Sequence, residues 1–142
     1  MFMRYILFEN FLPMEAIDIR YKVFTLEQGF DKDVDLDKFD KKSIHILVYE
    51  NDEPVATARL FREIGYTFHI GRLAVLKEYR KKGVGSHALK ILEDEAKKRG
   101  AERIVLGSQI DKAEFYEKNG YNRFGDIFDD AGYPHIMMEK KI

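Results

Sequence analysis

Apolar positions recur along this chain with two periods, one near two residues and one near three and a half, and the switches between them mark its elements. Residues 2–8 alternate in the manner of a strand. From Pro13 the spacing changes. Ile17, Tyr21 and Phe24 fall at i, i+4 and i+7, which predicts an amphipathic helix over residues 13–26, with proline in the first turn and Gly29 just beyond the end. Residues 31–40 are acidic and offer only Val34, Leu36 and Phe39 for burial, so they read as an ordered loop or short helical turn over the domain surface.

Two strand-like runs, residues 44–49 and 55–61, flank Asn51, Asp52, Glu53 and Pro54 and predict an antiparallel hairpin. A turn at Ile64 and Gly65 leads into a long strand over residues 66–76. A helix over residues 86–99 follows, with Ala88, Leu89, Leu92 and Ala96 on one face. Its end carries Lys97, Lys98 and Arg99 before Gly100, suited to the negative end of the helix dipole and to a glycine cap. Residues 104–106 are wholly apolar, the pattern of a strand buried on both faces. A second helix over 111–119 stops at Gly120, and residues 121–124 and 135–141 form the last strands. The order β-α-β-β-β-α-β-α-β-β predicts an α/β (α+β) domain over residues 1–142, a mixed central sheet flanked by helices.

Composition narrows what such a domain does. With 24 basic and 25 acidic residues the chain lacks the excess charge of a general nucleic-acid binder, so no nucleic-acid partner is expected. It has no cysteine, which excludes disulfides and a thiolate nucleophile. Its histidines, His45, His69, His87 and His135, have no ligand-like spacing, and no metal site is expected. Residues 1–8 do not resemble a targeting segment and no apolar run approaches 18 residues. The expectation is a cytoplasmic domain without a membrane partner.

The most informative stretch is Arg80-Lys81-Lys82-Gly83-Val84-Gly85, between a strand and a helix. Glycines at a helix mouth let backbone pass close to a ligand and leave N–H groups directed outward, an arrangement that binds an anion, phosphate above all. Rossmann spacing is not met, because no third glycine completes G-x-G-x-x-G. Ser86 follows Gly85 with no lysine between them, so a nucleoside triphosphate loop is not met either.

This loop, with Gly71-Arg72-Leu73-Ala74-Val75 before it and Ala113-Glu114-Phe115-Tyr116-Glu117-Lys118-Asn119-Gly120-Tyr121 after it, resembles the GNAT superfamily of acetyl-CoA-dependent N-acetyltransferases. The runs from Ile19 to Gln28 and from Gly132 to Met138 resemble its ElaA/YjcF-like branch. The resemblance implies the GNAT acyl-CoA N-acyltransferase fold and acetyl-CoA as cofactor. It implies that backbone N–H groups of Arg80, Lys81, Lys82, Gly83, Val84, Gly85 and Ser86 hold the pyrophosphate, with Arg80, Lys81 and Lys82 adding charge. Main chain at Leu73, Ala74 and Val75, where a bulge or splay is expected, meets the pantetheine arm. Gln109 takes the place of the asparagine the family has after its fifth strand. Tyr116 is the expected general acid and a cofactor contact. Glu27, His69 and His135 are the candidate bases, and Arg20 and Arg72 are either ligands for an acidic part of the acceptor or plain ion-pair partners, which the sequence leaves open.

The implied reaction is direct transfer of acetyl to a primary amine of a small molecule or peptide, with specificity in residues 28–43 and 126–134. The alternative is a non-catalytic acyl-CoA binding or sensing module of the same fold, which needs no Tyr116. The apolar run at residues 136–138 is a candidate dimer edge for a homodimer.

Overall fold

The computed structural model describes residues 3–142. Its strands form one seven-stranded sheet in the order β1-β2-β3-β4-β5-β7-β6. These are β1 (Met3–Glu9), β2 (Ile44–Glu50), β3 (Glu53–Ile64), β4 (Thr67–Val75), β5 (Arg103–Gln109), β6 (Asn122–Asp130) and β7 (Tyr133–Lys141). Neighbours are antiparallel except β4 and β5, which are parallel. A parallel pair needs a crossover, and α3 (Val84–Lys98) supplies it.

The alternation in β2 shows how the layers close. Ile44, Ile46 and Val48 join a core with Val84, Ala88, Leu89, Leu92 and Ala96 of α3, while Leu47 and Tyr49 face the opposite side. There they meet Ala16, Ile19 and Val23 of α1 (Met14–Arg20) and of the π-helical turn Tyr21–Glu27 that continues it. Both faces of β2 are therefore covered, which explains why its sequence reads as a continuous apolar run.

The first helix corrects an expectation. Its buried face is Ala16, Ile19, Arg20 and Val23, whereas Tyr21 of the predicted stripe is 40% exposed. An arginine stands among those buried positions, and its charge hid the stripe. The hairpin loop is also tighter than expected. Asn51 and Asp52 both take positive φ, so β2 and β3 are joined by two residues, and Pro54 lies within β3 at a register shift beside Val48 and Tyr49. The candidate dimer edge at residues 136–138 is not an edge. β7 lies between β5 and β6, and Ile136 and Met138 are buried.

The acidic stretch holds a short helix, α2 (Lys32–Asp35), and is fixed to the sheet by charge, with Phe39 stacked on Phe61 of β3 (4.7 Å). Arg20, 1% exposed, donates from Nε to Asp35 (3.0 Å) and from Nη1 to Asp40 (2.8 Å), and from Nη2 to the Asp35 carbonyl (2.7 Å). Arg59 of β3 donates to Asp37 (2.6 Å) and Asp40 (2.9 Å). Arg72 donates to the Asp35 carbonyl (3.1 Å) and to Asp37 (3.2 Å). Arg20 and Arg72 are thus spent on three aspartates of this chain, and Arg20 in particular is closed to any acceptor.

Two features of this frame shape the site. First, β4 and β5 pair only from Thr67 opposite Arg103 to His69 opposite Val105. Beyond that point β4 stays with β3 as far as Val75, and β5 stays with β7 as far as Gln109. The parallel pair opens into a V. Second, the β3 register steps from Arg59 opposite Gly71 to Thr57 opposite Ala74, a bulge at which Arg72 takes φ 51°.

Candidate active site

The connection from β4 to α3 turns through Lys77–Tyr79 and then through Lys81 (φ 62°) and Gly83 (φ 82°). Successive residues of opposite hand turn their N–H groups to one side, a concavity suited to an anion. The Arg80 N–H, expected to be part of this set, is instead bonded to the Lys77 carbonyl (3.4 Å); among the described residues none of the N–H groups of residues 81–86 finds an acceptor, and the first internal bond of the helix runs from His87 N–H to the Gly83 carbonyl (3.0 Å). The two glycines answer different demands. Gly83 is required by its left-handed backbone, with open space where a Cβ would lie. At Gly85 a Cβ would come 3.2 Å from the Phe115 ring and 3.6 Å from Val75 Cγ2, so its absence lets α3 start against the next helix and the end of β4. Val84 is a core side chain that offers only its amide, Ser86 is half-buried, and Lys81 and Lys82 are exposed, Lys82 Nζ lying 5.5 Å from the centre of the Tyr79 ring.

Along the open side of the V, Leu73 and Val75 turn their side chains to the α3 core and Ala74 to the α1 core. What β4 presents toward β5 there is main chain. Across the V, Gln109 donates its side-chain amide to Gln28 Oε1 (2.8 Å), and the Tyr133 hydroxyl donates to the Gln28 carbonyl. Phe30 packs on Tyr133 at 4.5 Å between ring centres. The segment after the first helix is so stitched to β5 and to the β6–β7 turn.

Tyr116 lies on α4 (Ala113–Lys118), half-buried, edge-on to Phe115 (5.0 Å) and Tyr121 (6.0 Å). Burial pushes its phenol up to about 12. Its hydroxyl makes no hydrogen bond within the described chain, unlike that of Tyr121, which donates to the buried Glu93 (2.7 Å). Lys140 completes that cluster, 2.9 Å from Glu93 and 3.0 Å from the Asn119 carbonyl, and fixes the end of α4 to α3 and β7.

The candidate bases stand differently. Glu27 receives both arms of the Arg80 guanidinium (2.5 and 2.6 Å), and that hydrogen bonding lowers its carboxyl below the ordinary range, as a base would not want. His69 stacks on Phe61 (4.9 Å), and burial lowers its pKa so that the imidazole is neutral near pH 7. Its Nδ1 meets Glu63 at 3.2 Å. His135 is buried beside Gln109, donating from Nδ1 to the Tyr133 carbonyl (2.9 Å), and its Nε2 is left without a hydrogen bond. Arg80 is turned away from the loop amides, because Nε donates to the Val75 carbonyl (2.9 Å) while Glu27 holds the rest. The pairing of Glu27 with Arg80, the Arg59 anchor and the Gln28–Tyr133 stitch were not foreseen. Arg59 alone left a trace in the sequence, as a charge inside an apolar strand. Among the described residues no group of three or more histidine, aspartate or glutamate side chains is arranged to hold a metal ion.

Comparison with known proteins shows the family and the fold. A family model for the acetyltransferase (GNAT) domain matches residues 20–142. The uncharacterised N-acetyltransferase YjcF of Bacillus subtilis is 36% identical over 127 residues, covering 89% of this chain and 90% of its own. The crystal structure of Escherichia coli ElaA superposes with a TM-score of 0.87 at 25% identity, over 99% of this chain and 100% of that one. A Bacillus subtilis acetyltransferase solved in complex with CoA shares the fold at a TM-score of 0.76 and 20% identity, over 99% of each chain.

Proposed function

Because this chain belongs to the GNAT acetyltransferase family, whose members use acetyl-CoA, we propose that it moves the acetyl group of acetyl-CoA directly to a primary amine of a small molecule or peptide. The observation that carries the reading is the V between β4 and β5, open beside a helix mouth whose amides at residues 81–86 have no partner in the described chain. Those amides, with Lys81 and Lys82, are suited to a diphosphate. The main chain of Leu73, Ala74 and Val75, no longer paired with β5 although the Val75 carbonyl already accepts from Arg80 Nε, extends the pairing surface to the amide-bearing arm of the cofactor, and backbone N–H groups aimed at the thioester carbonyl would favour charge developing there. Gln109 faces the same arm from β5.

Attack by the amine forms a C–N bond and breaks the C–S bond, and the sulfur departs as a thiolate. Tyr116 keeps its proton at neutral pH and offers it as a hydrogen bond to that sulfur. Full transfer from a phenol at about 12 to a thiolate near 8.5 runs uphill by about 5 kcal/mol, so hydrogen bonding, with late or partial transfer, is the role this environment favours. Freeing an alkyl amine of pKa about 10.4 costs roughly 4 to 5 kcal/mol at pH 7, so a base should assist, the imidazole of His69 or of His135. No covalent acetyl-enzyme is involved. We read the chain as a single cytoplasmic domain; among the described residues no helix is long and apolar enough to cross a membrane.

The test is to mix the protein with acetyl-CoA and a panel of primary amines and follow free thiol. Amine-dependent release at a rate proportional to enzyme is the expected result. Tight cofactor binding without release from any amine would favour the sensing module instead.

A further inference from the structure

One strong contact, the bidentate pair between Glu27 and Arg80, has no part in the transfer chemistry described above. Arg80 stands directly before the amides of residues 81–86. Its Nε is tied to the carbonyl of Val75, the last residue of β4, at 2.9 Å, and both remaining arms go to Glu27 at 2.5 and 2.6 Å. A guanidinium fork matches a carboxylate and a phosphate equally well in shape, and a fork engaged by one is closed to the other.

Glu27 is brought there by an uncommon piece of backbone. It is the last residue of the π-helical turn Tyr21–Glu27, closed by bonds from Gln28 N–H to the Val23 carbonyl (3.1 Å) and from Phe30 N–H to the Phe24 carbonyl (2.8 Å). π-turns are costly relative to α-helix and concentrate where a side chain has been re-aimed for function. The surroundings are cationic as well. The charges of Lys77, after β4, and Lys112, after β5, also act on the Glu27 carboxylate. A carboxylate thus sits among basic groups drawn from both arms of the V, next to the loop suited to a diphosphate.

We propose that Glu27 is an intramolecular competitor of the coenzyme A diphosphate for Arg80, and so sets how tightly the cofactor is held. The proposal rests on the acetyl-CoA reading of this site. Arg80 then has two states, paired with Glu27 or turned to the phosphates, and the cofactor must displace the carboxylate to use it. Both side chains are about one-third exposed, at 31% and 34%, so the competition is modest and expressed as a few-fold change.

Calorimetric titration of coenzyme A into four proteins decides the matter: the wild-type chain, Glu27→Gln, Arg80→Gln and the double variant. Glu27→Gln is expected to tighten the dissociation constant about threefold, the size of a partly exposed ion pair. Arg80→Gln is expected to weaken it, and the double variant to match Arg80→Gln alone. Weaker or unchanged binding by Glu27→Gln overturns the proposal, since Glu27 would then be aligning Arg80 or doing nothing to it. Equal tightening in the Arg80→Gln background also overturns it, because the effect would then be long-range charge. A wild-type chain that binds no coenzyme A would overturn the acetyl-CoA reading itself, an outcome distinct from these.

Discussion

Tyr116→Phe is expected to lower the turnover number for acetyl transfer by about 100-fold while leaving the dissociation constant of coenzyme A within a factor of about two. The hydroxyl it removes has no hydrogen-bond partner in the described chain, whereas the neighbouring Tyr121 hydroxyl is fully engaged by Glu93. A phenol that makes no internal hydrogen bond and is pushed up to about 12 by burial keeps its proton at neutral pH. The ring is retained in phenylalanine, so the edge-on contacts with Phe115 and Tyr121 persist and the fold should not suffer. Affinity is expected to reside in the loop at residues 81–86 and not at the sulfur, which is why the two constants should separate. Steady-state thiol release gives the first and calorimetry the second. Equal turnover in the variant would remove Tyr116 from the reaction.

Arg20→Met is expected to destabilise the protein by about 3 to 5 kcal/mol, read as a fall in the urea midpoint at unchanged slope. Methionine fills much of the volume but leaves Asp35 and Asp40 buried without their main cation, and uncompensated buried charge is among the most expensive single changes a domain can suffer. The same cluster predicts an acid limb. Burial alone would raise the Asp40 carboxyl, but hydrogen bonds and charge from Arg20, with help from Arg59, overcome it and hold the group at about 2, below its ordinary 3.8. Asp37 is likewise lowered: burial opposes, and hydrogen bonding and charge from Arg59 prevail. A depressed carboxyl stabilises the native state above its unfolded pKa and loses that contribution as pH falls toward its folded value. Stability should therefore be level down to about pH 4 and drop between about pH 4 and pH 2, by about 2 kcal/mol from Asp40 alone. In Arg20→Met that limb should flatten.

What was legible in the sequence, and what was not, divides along physical lines. Gly83 and Gly85 between a strand and a helix pointed to the loop, because a local backbone demand leaves a local trace, and the apolar run at residues 104–106 gave away the doubly covered β5 for the same reason. Tyr116 was recognisable only through the pattern around it. Contacts between distant residues left no such trace. Glu27 meets Arg80 across 53 positions, and it does so because a π-turn alters the helical register, something no 3.6-residue spacing can anticipate. For Arg20 the sequence leaves acceptor ligand and ion-pair partner equally open, because the partners that would decide lie 15 and 20 positions away. In the folded chain it lies on the inward face between Ile19 and Val23, where two aspartates distant in sequence, Asp35 and Asp40, make that burial tolerable. Arg72 is likewise an ion-pair partner in the folded chain, its guanidinium turned to that cluster and its left-handed backbone marking the bulge.

The central claim is that unpaired amides before α3 grip the diphosphate of coenzyme A. Titrating coenzyme A into the 15N-labelled protein and following amide resonances tests it most directly. The largest shifts are expected at residues 81–86, with smaller ones along Leu73 to Val75 and none in β1. Saturable binding that leaves residues 81–86 unmoved, or no binding at all, would contradict it.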